Sequence, residues 1–220
     1  GSLGVTVVGS TFSNGSGSNS GAIGLLQSTG TFVNNTFANN SALGTGANYV
    51  EPGCPDFNHP EQGGAGGNGG AMAVDGVEET ELYFCGCTFS GNEAGAFGGA
   101  VFRTPNGAQQ ATTFEQCTID DNSAESAGGL YISNSVFTLS RSTVSNNTAP
   151  GLGGGVRAEL GSQLVFENST FYGNETLEGL AGALSYDGSG TIRNCTFAAN
   201  KAEGGPGLFT AAIRGTTATI

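Results

Sequence analysis

The sequence has 220 residues, of which 40 are glycine, and this composition suits one turn-rich domain rather than two globular ones. Its 18 acidic and 6 basic side chains give a net charge of −12, which disfavours nucleic acid as a partner because such a partner requires a basic stripe. No apolar run approaches the length of a membrane span, so we expect no membrane insertion.

A Thr followed by an apolar residue recurs along the whole chain. These pairs begin at Thr11, Thr36, Thr88, Thr118, Thr143, Thr170 and Thr196. The spacing is 25 to 30 residues and doubles once, to 52. A repeat of this length is typical of solenoids. We therefore expect one solenoid segment over residues 1–220, with an inserted loop at residues 43–67 inside the doubled step.

Three further positions keep a fixed offset from this Thr. The apolar residues four positions before it are Val7, Phe32, Phe84, Phe114, Leu139, Phe166 and Ile192. The Asn residues four positions after it are Asn40, Asn92, Asn122, Asn147, Asn174 and Asn200, while the first copy has Asn14, one residue early. The glycines that precede the next apolar run are Gly21, Gly70, Gly99, Gly129, Gly154, Gly182 and Gly207.

The segments between these positions predict strands. They are short, alternate apolar with polar residues, and are bounded by Gly, Asn or Ser. We expect about seven or eight coils of three strands each, stacked as three parallel sheets around a narrow core. Because parallel neighbours lie about 4.8 Å apart, the Phe-rich positions should form internal columns and the Asn row a hydrogen-bonded ladder. A β-sandwich is disfavoured because its strands do not repeat one residue at a fixed offset.

The repeat also resembles that of a known family. Gly-Gly-Ala-hydrophobic stands at residues 98–101, and Phe-x-x-Asn-x-Ala stands at residues 89–94 and 197–202. Together they resemble the repeat of the polymorphic outer membrane proteins of chlamydiae, over nearly the whole chain. The resemblance implies an all-β, right-handed parallel β-helix outside the cell, with an adhesive or structural role. The motif marks scaffold positions, so the resemblance implies no catalytic residues.

The five cysteines have different expected environments. Cys87, Cys117 and Cys195 come immediately before the repeated Thr, where alternation points the side chain inward. We expect buried thiols there, and a Cys87–Cys117 bridge is the alternative. Cys85 should face the other way, and Cys54 lies in the insertion. A Cys54–Cys85 disulfide would pin the insertion and would fit an oxidising compartment.

Seven Asn-x-Ser/Thr sequences are candidate N-glycosylation sites. Five of them share two offsets that should face solvent, namely Asn34, Asn39, Asn146, Asn168 and Asn194. Asn14 and Asn174 should lie on the inward row and be poor acceptors. N-linked glycans are therefore expected partners at the five outward positions.

Catalytic and ligand-binding alternatives have weaker support in the sequence. A polysaccharide lyase or hydrolase needs clustered acids on one sheet face, and the adjacent Asp120 and Asp121 should point to opposite faces. His59 beside Asp56 and Glu61 could bind a metal, although a lone loop His is usually solvated. The Thr row could order water, but an ice-binding face usually has two Thr ranks. We expect no cofactor and no bound metal.

The expected function is therefore that of an extracellular or cell-surface glycoprotein, structural or adhesive, forming a β-helical shaft or a filament subunit without catalytic activity. The chain begins and ends within a repeat and shows no polar cap, so its ends are expected to pair with other copies or with further coils. The alternative is a carbohydrate-binding or carbohydrate-cleaving β-helix, with surface carbohydrate as its partner. A row of exposed aromatic side chains along one sheet would favour that alternative.

Overall fold

The computed structural model describes residues 3–44, 67–76, 81–204 and 211–215. Nearly all of the predicted insertion at residues 43–67, including Cys54 and His59, lies outside these ranges. Within them the chain forms strands and turns and contains no helix. All the strand pairs are parallel, and they form three sheets of 12, 7 and 7 strands.

The strands fall into the three sheets in a regular order. The first sheet contains β1 (Leu3–Val8), β4 (Ile23–Leu26), β5 (Ser28–Val33), β8 (Met72–Gly76), β9 (Leu82–Cys85), β12 (Val101–Pro105), β13 (Gln110–Glu115), β16 (Leu130–Ser133), β17 (Ser135–Ser140), β20 (Val156–Glu167), β23 (Ala181–Arg193) and β26 (Ala211–Gly215). The second sheet contains β2 (Thr11–Ser13), β6 (Thr36–Ala38), β10 (Thr88–Ser90), β14 (Thr118–Asp120), β18 (Thr143–Ser145), β21 (Thr170–Tyr172) and β24 (Thr196–Ala198). The third sheet contains β3 (Ser16–Gly17), β7 (Ser41–Ala42), β11 (Glu93–Phe97), β15 (Ser123–Ser126), β19 (Thr148–Ala149), β22 (Glu175–Thr176) and β25 (Lys201–Ala202).

One coil passes through the three sheets in turn. Strands β12 and β13 lie in the first sheet, β14 in the second and β15 in the third. The first sheet therefore takes two consecutive strands from most coils, and β20 and β23 continue through the bend between them. Equivalent residues lie directly opposite each other, as Phe89 does with Ile119. The predicted all-β parallel solenoid with three sheets is confirmed.

The core consists of apolar columns that run along the stack. Phe37 and Phe89 stack with ring centroids 4.7 Å apart, and Phe84 and Phe114 stack at 4.6 Å. Both positions point inward because strand residues alternate between the two faces of a sheet. Burying one such side chain contributes about 1.5–3 kcal/mol. An apolar residue occupies the equivalent position in every coil, so the core grows with each coil added.

One charged side chain interrupts these apolar columns. Arg103 in β12 is fully buried and lies between Val74 and Ile132 in the same inward column. Burial lowers the pKa of Arg103 to about 10, although the Asp75 carboxylate opposes this shift. The guanidinium therefore stays charged at neutral pH, inside a core that is otherwise mostly apolar.

Candidate functional site

The predicted Asn row lies inside the turn between the second and third sheets. Its members are Asn40, Asn92, Asn122, Asn147, Asn174 and Asn200. The main-chain nitrogen and Nδ2 of Asn92 donate to Oδ1 of Asn122 at 3.0 and 2.9 Å. Nδ2 of Asn92 also donates to the carbonyl oxygen of Phe37 at 3.0 Å. Each amide therefore joins three consecutive coils.

Two sequence assignments in the turns are wrong by one residue. Asn14 is exposed, with a φ of 56°, and Gly15 takes the ladder position, where its nitrogen donates to Oδ1 of Asn40 at 2.9 Å. The turn requires a left-handed residue just before the ladder position, which Asn tolerates. The glycine column likewise passes through Gly128 instead of Gly129. A Cβ on Gly128 would lie 2.5 Å from the carbonyl oxygen of Gly154.

The five predicted glycosylation sites all lie in exposed turns. Their φ values are 53° for Asn34, 54° for Asn39, 53° for Asn146, 51° for Asn168 and 53° for Asn194. Of the two sequons predicted to face inward, Asn174 is buried in the ladder and inaccessible in the folded chain. The inward placement of Asn14 is wrong, because Asn14 is exposed in its turn. Turn chemistry alone selects Asn or Gly at these left-handed positions. The presence of glycans there stays a prediction.

The cysteines fall on both faces of the coil. Cys87 and Cys117 are buried in the column before the repeated Thr, and Cys195 continues that column half-buried. Cys85 is a half-buried free thiol at the end of β9. Its predicted partner Cys54 lies outside the described residues, so the Cys54–Cys85 disulfide stays a prediction.

An aromatic cluster on the outer face of the first sheet is the strongest candidate binding surface. Phe102 of β12 and Tyr131 of β16 are directly opposite in register and stack with ring centroids 5.2 Å apart. Phe97, at the end of β11, lies 4.9 Å from Tyr131. Arg157, the next residue in the Tyr131 column, lies 5.9 and 5.8 Å from the Phe97 and Tyr131 ring centroids. We name Phe97, Phe102, Tyr131, Arg157 and Glu159 the aromatic cluster.

Polar contacts hold the aromatic cluster in place. The Tyr131 hydroxyl donates to Oε2 of Glu159 at 2.9 Å, and Nε of Arg157 donates to Oε1 of the same carboxylate at 2.6 Å. Nη1 of Arg157 donates to Oγ of Ser126 at 2.7 Å. Burial, together with the negative charge of Glu159, raises the pKa of Tyr131 to about 12. The hydroxyl therefore keeps its proton at neutral pH. Together these hydrogen bonds hold Tyr131 and Arg157 in one arrangement.

A groove lies beside the aromatic cluster. Gly24, Ala73 and Phe102 occupy successive positions of the column that continues into Tyr131. Because Gly24 has no side chain and Ala73 has only a methyl group, a space of about 300 Å³ remains there. Its wall includes Phe102, together with Asp75 and other polar residues. A ligand that contacts the rings could therefore extend along the sheet into this groove.

Sequence reasoning missed the aromatic cluster. Phe102 and Tyr131 share an offset in adjacent coils, and that pair was the available signal. The column holds Gly24, Ala73 and Arg157 in other coils, so no repeated aromatic marked it. Phe97 comes from another sheet, after a register shift in β11 that no repeat position predicts.

The carboxylate candidates that the structure describes do not form a second site. Oδ1 of Asp120 accepts hydrogen bonds from Oγ of Ser145 at 2.7 Å and Nδ2 of Asn146 at 2.9 Å, while Asp121 is an exposed turn residue with a φ of 56°. The predicted metal candidate at His59 lies outside the described ranges. Among the described residues no group of three or more His, Cys, Asp or Glu could hold a metal ion. The same residues contain no helix able to cross a membrane.

Comparison with known proteins gives one match. The model of a family described as the right-handed beta helix region matches residues 74–217. No curated protein and no solved structure matches the chain.

Proposed function

Because this chain belongs to the right-handed β-helix family, we propose that it is an extracellular structural or adhesive shaft without catalytic activity. The supporting observation is that the Asn ladder continues from Asn40 to Asn200 without a missing rung. Apolar columns run beside it for the same distance. Such a stack buries a continuous core by repetition, which is how solenoids produce extended surfaces. This regular architecture therefore suits an extended scaffold better than an enzyme built around one active-site pocket.

The proposed extracellular location is supported by the outward turns. Six Asn-x-Ser/Thr sequences, the five predicted sites and Asn14, present an exposed Asn, so a glycosylating host could modify them without disturbing the core. Glycans on these turns would decorate the rod along its length. N-linked glycans are thus proposed partners of the exposed turns, and Asn174 provides an internal control because it is buried.

Secretion from a eukaryotic host tests the glycoprotein part of this proposal. Enzymatic release of N-glycans converts each occupied Asn to Asp, which peptide mass spectrometry detects. We expect conversion at Asn34, Asn39, Asn146, Asn168 and Asn194. We expect none at Asn174. Secreted protein with all five of these sites unmodified, or with Asn174 as the main occupied site, would contradict the proposal.

Electron microscopy of the purified protein tests the shaft. We expect particles with one long dimension, either single or joined end to end. Compact particles of equal dimensions would contradict an extended shaft. The same preparation should release no reducing ends from a panel of polysaccharides, and any product would contradict the absence of catalysis.

As a second candidate function we propose carbohydrate binding at the aromatic cluster. Ligand sites combine aromatic surface with a few fixed polar groups, and here three rings lie beside Arg157 and Glu159. The net charge of −12 disfavours acidic polysaccharides, so the expected ligand is a neutral glycan. Glu159 is engaged by Arg157 and Tyr131, which favours binding over acid catalysis.

Binding to immobilised neutral polysaccharides tests the second candidate. We expect replacement of Phe102 and Tyr131 by Ala to weaken retention at least about tenfold, since aromatic anchors dominate such sites. Tyr172→Ala is the matched control, because Tyr172 is 51% exposed on the second sheet, away from the aromatic cluster. Equal retention of all variants, or no retention of the parent protein, would remove this candidate.

A further inference from the structure

Two buried thiols occupy equivalent positions of adjacent coils, in the turn between the first and second sheets. We propose that these residues, Cys87 and Cys117, form a disulfide that joins the two coils. The residues that follow them, Thr88 and Thr118, are directly opposite in register. The nitrogen of Thr118 donates to the carbonyl oxygen of Cys87 at 2.9 Å. Directly opposed residues of parallel strands are separated by about 4.8 Å, within the Cα separation of about 4.4–6.8 Å that disulfides require.

The two side chains are also buried in the same part of the core. Cys87 and Cys117 are 1% and 2% exposed, and both lie in the core cluster. The Cys87 thiol donates to the carbonyl oxygen of Phe32 at 3.4 Å and the Cys117 thiol to that of Glu115 at 3.3 Å. The interaction between the two thiols lowers the pKa of Cys87 and raises that of Cys117. Because the two coils already lie at a separation that suits a disulfide, we expect the bond to form by side-chain rotation without rearrangement of the coils.

Four other positions of this column have oxygen where these coils have sulfur, namely Ser10, Asn35, Ser142 and Ser169. The nitrogen of Cys117 donates to Oγ of Ser142 at 3.0 Å, and that of Ser142 donates to Oγ of Ser169 at 3.1 Å. The nitrogen of Ser10 donates to Oδ1 of Asn35 at 2.8 Å. A thiol is a weak acceptor for a main-chain N–H. A covalent bond between the two thiols would compensate for the weaker ladder at this point.

Neither of the other described cysteines, Cys85 and Cys195, is placed to form this disulfide with Cys87 or Cys117. Cys195 follows Ser169 in the column, so no cysteine lies in the adjacent coil next to it among the described residues. Cys85 lies two residues before Cys87, at an outward position of β9 that is opposite Glu115. A bond from Cys85 to Cys54 is compatible with the Cys87–Cys117 disulfide, because it would lie on the outer face.

The reaction is a thiol–disulfide exchange with glutathione disulfide as the oxidant. The Cys87 thiolate attacks one sulfur of glutathione disulfide and releases one glutathione thiolate. The Cys117 thiolate then attacks the Cys87 sulfur of the mixed disulfide and releases the second glutathione. The protein loses two protons and two electrons, and one glutathione disulfide becomes two glutathione molecules. We expect this exchange during folding, before the coils close over the thiols.

Peptide mapping after refolding with glutathione disulfide tests the proposal. A protease that cleaves after Glu releases residues 82–93, which contain Cys85 and Cys87, and residues 116–125, which contain Cys117. We expect these peptides to be joined until a reductant is added. Cys85→Ser should keep the link, and both Cys87→Ser and Cys117→Ser should abolish it. Free alkylatable Cys87 and Cys117 in the refolded protein, or a link that disappears in Cys85→Ser alone, would overturn the assignment.

A stability measurement provides an independent check. In a background with Cys54, Cys85 and Cys195 replaced by Ser, the oxidised protein should unfold at a higher urea concentration than the reduced protein. Addition of Cys117→Ser should remove the dependence on reductant while leaving a cooperative transition. An equal midpoint with and without reductant in the parent background would contradict the disulfide.

Discussion

The two turns on either side of the second sheet have the same backbone and different side-chain chemistry. In each turn a residue with positive φ precedes an inward residue, as Asn34 precedes Asn35 and Asn39 precedes Asn40. The turn before the second sheet, which we name the first turn, continues the Asn35 position with Cys or Ser. The turn after it, which we name the second turn, continues the Asn40 position with Asn in every later coil through Asn200.

This difference shows what an amide can do that a hydroxyl cannot. In the first turn, Oγ of Ser142 donates to the carbonyl of Ser140 in its own coil at 2.8 Å, so its only proton stays local. In the second turn, Nδ2 of Asn122 donates to Oδ1 of Asn147 at 2.9 Å and to the carbonyl of Phe89 at 3.1 Å. The amide therefore relays hydrogen bonds along the stack, and we expect the second turn to be far less tolerant of substitution.

Asn122→Asp should give the largest effect, because it keeps the shape of the side chain and removes its donor. At neutral pH the carboxylate would face the carbonyl of Phe89 and Oδ1 of Asn147 without a cation, and an uncompensated buried charge costs about 3–5 kcal/mol. Desolvation should raise the pKa of this carboxyl in the folded chain. Urea unfolding at pH 7 measures the loss.

The pH dependence of Asn122→Asp has a defined sign. The introduced carboxyl has a higher pKa in the folded chain than in the unfolded chain, where the pKa of Asp is about 3.9. The variant therefore keeps its free energy of unfolding below about pH 3.9 and loses it as the pH rises through the pKa of the folded chain. The difference between Asn122→Asp and the parent protein should therefore be smaller at pH 3 than at pH 7. A difference that does not change with pH would show that the second turn does not depend on the amide donor.

Asn122→Ala should give the next largest effect. It leaves the main-chain nitrogen and Nδ2 of Asn92 without their acceptor, and each unsatisfied buried group costs about 1–3 kcal/mol. We expect a loss of about 3 kcal/mol in urea unfolding. Ser123→Ala is the control, since Ser123 is the exposed next residue and should change stability by less than about 0.5 kcal/mol. A loss equal to that of the control would contradict the relay.

Periodicity predicted the structural positions that repeat in every coil. The Thr spacing identified the three sheets, and the Phe and Asn offsets identified the inward columns. A spacing cannot assign a residue whose type changes, so Asn14 was placed on the ladder where Gly15 lies. Gly129 was likewise assigned in place of Gly128, because two consecutive glycines precede Leu130 and that coil has no Ala between them and the apolar run.

The outer surface was less predictable for a physical reason. Core positions must repeat because each coil packs on equivalent atoms of the next, whereas outward positions face solvent and can differ. Phe102 and Tyr131 are therefore two aromatics in a column that also holds Gly24 and Arg157. Phe97 comes from a different sheet, and only the three-dimensional structure shows that it lies beside Tyr131.

Ser142→Ala tests the first turn and should cost less than either Asn122 change. Oγ of Ser142 accepts one hydrogen bond, from the nitrogen of Cys117 at 3.0 Å, so one buried donor loses its partner. We expect a loss of about 1–2 kcal/mol in urea unfolding under reducing conditions. Ser140→Ala, at the outward last position of the preceding strand β17, is the control. A loss as large as that of Asn122→Ala would remove the proposed difference between the turns.

Gln116→Gly tests the feature that the two turns share and should give the smallest effect. Gln116 is exposed with a φ of 54°, a conformation that costs an L-residue about 1–2 kcal/mol, while Gly86 at the same position of the preceding coil has a φ of 64°. The greater freedom of glycine in the unfolded chain offsets about 0.5–1 kcal/mol of the relief. We therefore expect a net gain of about 0.5 kcal/mol in urea unfolding. Gln116→Ala removes the same side chain and keeps the Cβ, so it should give no gain. Equal changes for Gly and Ala would show that the left-handed turn is not strained.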